Sequence, residues 1–441
     1  MPVSQADDTS DPQGRVNATS ASPGRYRWTI CGLLFAATTI NYIDRQMIGV
    51  LKPLLQTDLA WSEGQYADIV FWFQAAYAIG FLAMGRFIDR VGVRTGYAVA
   101  FSFWTLAHMA HGLVGSVTQF AVARFALGLG EAGNFPAGLK AVADWFPQRE
   151  RAFAVGVFNA GANVGAIITP LAIPYIALTW GWKTAFVVTG LLSIVWLVAW
   201  LAIYRRPEAH PRVGAAELAL IRSDPIRPGG QVPWLRLFAI RETWAYAIPK
   251  FLTDPIWWMF LFWLPDFLGK RYGLDLKSFG LPLMAIYLLS DGGSIAGGWL
   301  SSRLIKRGWT VNAARKTTML ICAVAAMPIM AVQFVDQLWV AVAMIGLATA
   351  AHQAFSANLL TLPSDLFPGR AVASVVGIGG TAGAIGGMLV AKFVGYVLDV
   401  TNSYALIFAV AGLAYLLALA SLHLVSPRLA PARLAFAEKD S

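Results

Sequence analysis

The feature that most limits what this chain can fold into is the regular return of apolar runs, each about 20 residues long and set off by a short polar break. A helix of that length crosses about 30 Å of hydrocarbon. Twelve such runs fall near residues 27–50, 66–87, 95–115, 118–140, 150–178, 183–204, 243–267, 279–302, 315–334, 338–361, 371–397 and 403–425. Over 441 residues, 57% are hydrophobic and 13% charged, against roughly 45–50% and 25% in a soluble domain. A soluble fold has too little interior to hide the excess. The chain therefore reads as an all-α integral membrane protein of twelve transmembrane helices, with the lipid bilayer as its solvent.

The formal charge of +10 does not point to nucleic acid, because the basic residues sit in the breaks rather than on one soluble face. An even number of spans puts both termini on one side. Alternate breaks then differ sharply. One set holds Arg86, Arg90, Arg94, Arg149, Arg151, Arg205, Arg206, Arg303, Lys306, Arg307, Arg315, Lys316 and Arg370, the other chiefly Lys52, Lys183, Lys270, Arg271 and Lys277. The positive-inside rule places the richer set and both termini in the cytoplasm of an inner membrane. Cys31 and Cys322 each lie inside an apolar run, so neither a disulfide framework nor a thiolate metal site is expected.

Residues 1–24 are rich in Ser, Asp, Pro and Gly and read as a disordered cytoplasmic tail. The expected organisation continues with a six-helix bundle over 25–204, a cytoplasmic linker over 205–241, a second six-helix bundle over 242–426 and a tail over 427–441. The bundles repeat one another. The segment DWFPQRERAFAVGVFNAGANVGA from Asp144 matches DLFPGRAVASVVGIGGTAGAIGG from Asp365 at an offset of 221, pairing Pro147 with Pro368, Arg149 with Arg370, Gly156 with Gly377 and Gly165 with Gly386. Two pseudo-symmetric halves of this kind hold a ligand near the midplane between them.

After the second run the sequence reads GRFIDRVGVR, Gly85 to Arg94. Gly85 allows two helices to meet closely, Asp89 can pair with Arg90 or with a facing helix end, and the basic residues stay in the cytoplasm. This stretch resembles the signature loop of the major facilitator superfamily, which makes Gly85, Asp89, Arg90, Gly92 and Arg94 a gating loop. The second half carries a worn copy from Gly298, with Ser302 at the acidic position. Within the superfamily the chain resembles the anion:cation symporters, and more narrowly bacterial hexuronate transporters. The resemblance is carried by NYIDRQ at Asn41, GLGEAGNFPAGLKAV at Gly128, FNAGANVGAIITP at Phe158, YRRPEAHPR at Tyr204, KFLTDPIWWMFLFWLP at Lys250 and AAHQAFSANLLTLPSDLFP at Ala350.

Charges inside spans need a cavity, a partner or a function, since each costs at least about 2.5–3.5 kcal/mol at a helix centre. Asp44 and Arg45 are neighbours in the first span, so they point about 100° apart and do not serve only each other. The resemblance implies a proton-coupling role for Asp44 and a carboxylate-binding role for Arg45, whose planar fork suits a carboxylate; the alternative is a pair of gate salt bridges. Arg124 and Glu131 share a face of the fourth span about 10 Å apart. Gly128, Gly130 and Gly133 leave little room for water around Glu131, a setting suited to a carboxyl that takes up and releases a proton. By resemblance Glu131 is the principal proton carrier, with Arg124 stabilising its ionised form; the alternative is a static Arg–Glu bridge holding the fourth span to a neighbour.

The repeat offset places His352 at the position of Glu131, where it either meets substrate or packs as a hydrogen-bonding group. Gln353, Ser356 and Asn358 share its helix, and unpaired amides do not belong in lipid. Lys250 and Asp254 are four apart beside Pro255, Trp257 and Trp258, and either pair with each other or meet a ligand. By resemblance Tyr42 and Tyr77 line the cavity; Asn159 and Asn163 lie one turn apart on the fifth span as candidate substrate partners, and Ala162, where galactonate-type relatives have Gln, speaks against an aldonate and favours Asn163 as the hydroxyl partner. Asp291, His108, His111 and Lys392 fit no pattern, and His108 with His111 alone makes a poor metal site.

The sequence offers neither a nucleophile–base set nor a metal cluster within the spans, as a membrane enzyme would need, and its acidic six-plus-six repeat argues against a channel or receptor. The resemblance implies a monomeric importer of a six-carbon uronic acid, with protons as coupling ion, no other cofactor, and alternating access between the halves. Another organic anion, such as an aldonate, aldarate or aromatic acid, is the alternative cargo.

Overall fold

A computed structural model describes residues 24–223, 234–367 and 369–432. Residues 1–23 of the first tail, 224–233 of the expected linker, Pro368 and the tail from 433 onward lie outside the described residues. The helices are α1 Tyr26–Leu59, α2 Glu63–Val91, α3 Val93–Ala110, α4 Val117–Glu131, α5 Asn134–Trp145, α6 Gln148–Trp180, α7 Trp182–Ile203, α8 Ala215–Ile221, α9 Trp234–Leu237, α10 Arg241–Tyr272, α11 Gly280–Lys306, α12 Val311–Ala326, α13 Leu338–Leu366, α14 Gly369–Thr401 and α15 Ala405–Val425. The expected fourth span is thus two helices, α4 and α5. Pro136 has no N–H to return to the carbonyl of Ala132, so the ladder is interrupted where glycines already weaken it. The expected ninth span continues past α12 as a 3₁₀ segment, Met327–Phe334, with Pro328 in its first turn. Counting each of these as one rod, twelve membrane-length rods form two six-helix bundles, the fold class expected.

By length and composition alone, six of the described helical segments are apolar enough to cross a membrane, and Glu63–Phe81 with Ala83–Val91 pass as a bent pair. Other rods carry the charged residues that matter below: Asp44, Arg45 and Lys52 in α1, His108 in α3, Arg124 and Glu131 in α4, and Lys250 and Asp254 in α10. Their polarity is turned inward. Arg45, Asp44, Arg124, Glu131 and His108 are all buried, whereas Leu191, Val195 and Val198 of α7 face outward.

The repeat has a packing reason at Gly165 and Gly386. A Cβ on Gly165 would sit 2.5 Å from the carbonyl oxygen of Thr39 on α1, and one on Gly386 would run into that of Phe251 on α10. Each glycine lets the fifth helix of its half lie against the first. Gly156 and Gly377, by contrast, have open space where a Cβ would go.

The two halves meet along α2 with α14, α1 with α10 and α6 with α11. Gln46 donates to the Tyr287 hydroxyl at 2.8 Å, and Tyr66 to the carbonyl of Phe262 at 2.9 Å. Near the ends of α1, α2 and α10 away from the chain termini, Lys52 lies 2.7 Å from Glu63 and 3.0 Å from Asp266, while Lys270 reaches Glu63 at 2.5 Å and Asp266 at 3.2 Å. Lys392 pairs with Asp68 nearby. This end is closed. At the other end the start of the expected linker folds against the first half: Arg27 bridges Glu217 of α8 at 3.2 Å and Glu150 of α6 at 2.8 Å, and His210 packs on Tyr26 with ring centroids 4.3 Å apart.

Candidate substrate and proton site

Four charged side chains gather inside the first half because α1 and α4 each bring two of them to the interior. Arg45 Nε donates to Glu131 Oε2 at 2.8 Å, and Arg45 Nη2 donates to Asn41 Oδ1 at 3.0 Å. Arg124 donates through Nη1 to the backbone carbonyl of Arg45 at 3.4 Å. Asp44, turned away by the helix geometry, has Oδ1 3.3 Å from Nε2 of His108 on α3. Both oxygens of Asp44, Oε1 of Glu131, Nε and Nη2 of Arg124 and Nδ2 of Asn41 are buried with no hydrogen-bond partner among the described residues. Each such group costs about 1–3 kcal/mol, a sum a fold tolerates where ions or ligands are handled.

Aromatic rings surround the Arg45 guanidinium. Its central carbon lies 4.7 Å from the ring centre of Tyr77, 4.9 Å from Tyr42 and 5.1 Å from Trp258. Trp258 belongs to α10 of the second half, so this box is assembled across the interface. Two further buried amides lie on interface helices: Gln46 Oε1 and both polar atoms of Gln74 have no partner among the described residues. A Cβ on Gly387 of α14 would come 2.9 Å from Trp258 and 3.2 Å from the Gln74 amide.

Several of the expected site residues are engaged by other protein groups. The ion-pair partner of Glu131 is Arg45, not Arg124, since two helical turns separate Arg124 from Glu131. Lys250 and Asp254 pair with each other at 2.5 Å. His352 is buried, its ring stacked on Trp257 at 5.3 Å and its Nδ1 2.9 Å from the Tyr415 hydroxyl. Asn358 is held among α11, α12 and α13: it donates to the carbonyls of Gly297 and Ala354 at 3.2 and 2.9 Å and accepts from Arg315 at 3.3 Å. Gln353 and Asn163 are half-buried and Asn159 is exposed. An exposed amide on a span favours an aqueous opening over lipid.

In the signature loop, Asp89 pairs with Lys140 of α5 at 2.5 Å rather than with Arg90. Arg94 donates to the Leu201 carbonyl at 2.5 Å. Gly92 has φ +83° between α2 and α3, a conformation that favours glycine. Gly85 makes no close helix approach here, as a Cβ would meet nothing within 4 Å. The apolar run of the first span ends near residue 50 and gives no sign of the charge set around Lys52 and Asp266; α1 runs to Leu59 and carries Lys52, fully buried, within it.

Two helical bundles in contact at one end, with a buried charge cluster walled by aromatic rings from both, define a membrane carrier. Residues 34–391 match the Major Facilitator Superfamily, and the chain belongs to that family as a multi-pass transporter and not an enzyme. It is 33% identical over 391 residues to a hexuronate transporter of Escherichia coli (strain K12), spanning 87% of this chain and 90% of that one. It is 34% identical over 291 residues to a galacturonate transporter of Dickeya chrysanthemi, spanning 65% of this chain and 84% of the relative. A solved bacterial homologue of the human lysosomal transporter Spinster shares the fold at TM-score 0.73 and 19% identity, over 91% of this chain and 97% of that one.

Proposed function

We propose that the protein imports a hexuronate such as glucuronate or galacturonate together with protons across a bacterial inner membrane, with both termini in the cytoplasm. The observation that carries this reading is the charge balance of the buried cluster. Two guanidiniums, Arg45 and Arg124, face two carboxyls, Asp44 and Glu131, so the cluster is neutral when both acids are ionised. A bound monoanion leaves one uncompensated negative charge in a poorly hydrated site, which is strongly unfavourable. A proton taken up by either acid removes it.

Glu131 is the acid in direct competition with substrate, because it occupies an edge of Arg45 that a substrate carboxylate would use. Protonation of Glu131 weakens that ion pair and frees the fork of Arg45 for bidentate binding. The rings of Tyr42, Tyr77 and Trp258 then border the sugar, with Asn159, Asn163 and Gln353 as hydroxyl partners. Lys250, His352 and Asn358 support the second half from their present pairings. With the termini inside the cell, the closed end is the outer one. The relatives that transport hexuronate and galacturonate support the choice of cargo.

The test is competition of radiolabelled glucuronate uptake by a panel of uronates, aldonates, aldarates and aromatic acids. Glucuronate and galacturonate should compete best. Stronger competition by another class would move the cargo to that class.

A further inference from the structure

The buried aspartate of α1 has a partner in neither arginine. Arg45 is engaged by Glu131 and Asn41, and Arg124 points its Nη1 at a carbonyl. Two donors of α3 stand beside Asp44: the buried indole N–H of Trp104, which has no other partner among the described residues, and His108, whose Nε2 lies 3.3 Å from Asp44 Oδ1 and 2.7 Å from Thr189 Oγ1 on α7. Thr189 gives its hydroxyl hydrogen to the carbonyl of Ala185 at 2.9 Å. With that bond made, Thr189 turns lone pairs to the imidazole, and on this ground the ring hydrogen of the neutral histidine is assigned to Nε2. That hydrogen has two acceptors within reach, one neutral and one able to ionise. Asp44, His108 and Thr189 join α1, α3 and α7 inside the first half, and Asp44 and His108 are fully buried.

We propose that His108 is a positioning residue for the proton carried by Asp44. When Asp44 holds its proton, the Nε2–H of His108 rests on Thr189. When Asp44 gives the proton up, the same N–H turns to Oδ1 and takes over as hydrogen-bond donor to the carboxylate, and the imidazole stays neutral throughout. The other ionisable groups nearby are Glu131 and Arg124 of α4 and His111 of α3. His111 holds the Ala107 carbonyl through Nδ1 at 2.8 Å and stacks on Phe186 at 5.1 Å. On α7 the facing group is Thr189, and that helix's charged residue, Lys183, lies in its first turn. The role given to Asp44 rests on the symport reading, but the hydrogen-bond switch does not.

Infrared titration of the full purified protein tests the switch without requiring transport. The carboxylic C=O band that vanishes in Asp44→Asn reports the protonated Asp44. His108→Phe removes the donor, and the midpoint of the band should move to higher pH by about one unit or more, since a hydrogen bond to a charged group is lost. His108→Gln keeps an N–H and should move it by less than half as much. Thr189→Val removes the competing acceptor at similar size, and should move the midpoint the opposite way. Equal midpoints in wild type and His108→Phe, equal shifts in Phe and Gln, or a Thr189→Val shift in the same direction as Phe would overturn the proposal. If His108→Phe does not fold, Gln and Val still give opposite signs or contradict it. Proton-driven glucuronate accumulation by the wild type, measured separately, tests the symport reading; its failure would leave the infrared shifts standing.

Discussion

Arg45 Nε and Glu131 Oε2 lie 2.8 Å apart with both side chains closed off from solvent, so the ion pair joining α1 to α4 is a dry one. Removing one member of such a pair costs about 3–5 kcal/mol, because the other charge is left uncompensated. The pair therefore opens readily only when Glu131 gains a proton or Arg45 gains another carboxylate.

Glu131→Gln makes the first of those conditions permanent. Accumulation driven by a pH difference should be lost, while exchange of labelled for unlabelled substrate across preloaded vesicles should persist, as the amide resembles the protonated acid. Accumulation that survives with the same pH dependence would show that another group carries the proton.

Arg45→Lys keeps the charge and discards the fork. An ammonium cannot grip a carboxylate at two points or lie flat among Tyr42, Tyr77 and Trp258. Affinity for the anion, read by substrate-induced tryptophan quenching, should fall by about tenfold or more, corresponding to loss of one charge-assisted hydrogen bond. Near-normal affinity would take Arg45 out of the site.

Closure at the end away from the termini depends on small residues as well as on the Lys52, Glu63, Asp266 and Lys270 set. A side chain at Gly395 of α14 would run into Ala67 of α2. Gly395→Trp should therefore hold this end apart, abolish net transport, and raise the rate at which a cysteine at Val70, buried on α2, reacts with a membrane-impermeant reagent from outside. An unchanged labelling rate would mean that the two helices do not separate there.

Much of this arrangement was legible in the sequence, and for physical reasons. The span periodicity reflects the thickness of hydrocarbon, and the Gly165 and Gly386 equivalence reflects the same close approach made once in each half. The helical angle between Asp44 and Arg45 already implied different partners. The partners themselves were not legible. Whether Glu131 meets Arg45 or Arg124 depends on how α1 lies against α4, and local spacing carries no information on that. His108 had no sequence neighbour to explain it, because Asp44 and Thr189 approach it from 64 positions before and 81 after. Lys52 looks like a loop charge in the sequence, because nothing beside Pro53 signals that its helix continues to Leu59.

Two acids in the cluster leave room for one or two protons per substrate. An anion entering an inside-negative cell is opposed by about 2.3 kcal/mol for each 100 mV. If Asp44 and Glu131 both carry protons, each monoanionic uronate moves with net positive charge. A solid-supported membrane at equal pH on both sides should then register a sustained inward positive current on adding glucuronate. A binding transient alone, with transport confirmed by isotope, would leave Glu131 as the sole carrier.

Hexuronate and protons are proposed to cross together through the Arg45–Glu131 pair, and proton flow driven by substrate tests this most directly. Liposomes containing the protein and an internal pH dye, at equal pH inside and out, would receive an inward glucuronate gradient. The wild type should acidify the interior as glucuronate enters, and Glu131→Gln should exchange glucuronate without acidification. Entry of glucuronate into wild-type vesicles with the interior pH constant would contradict the account.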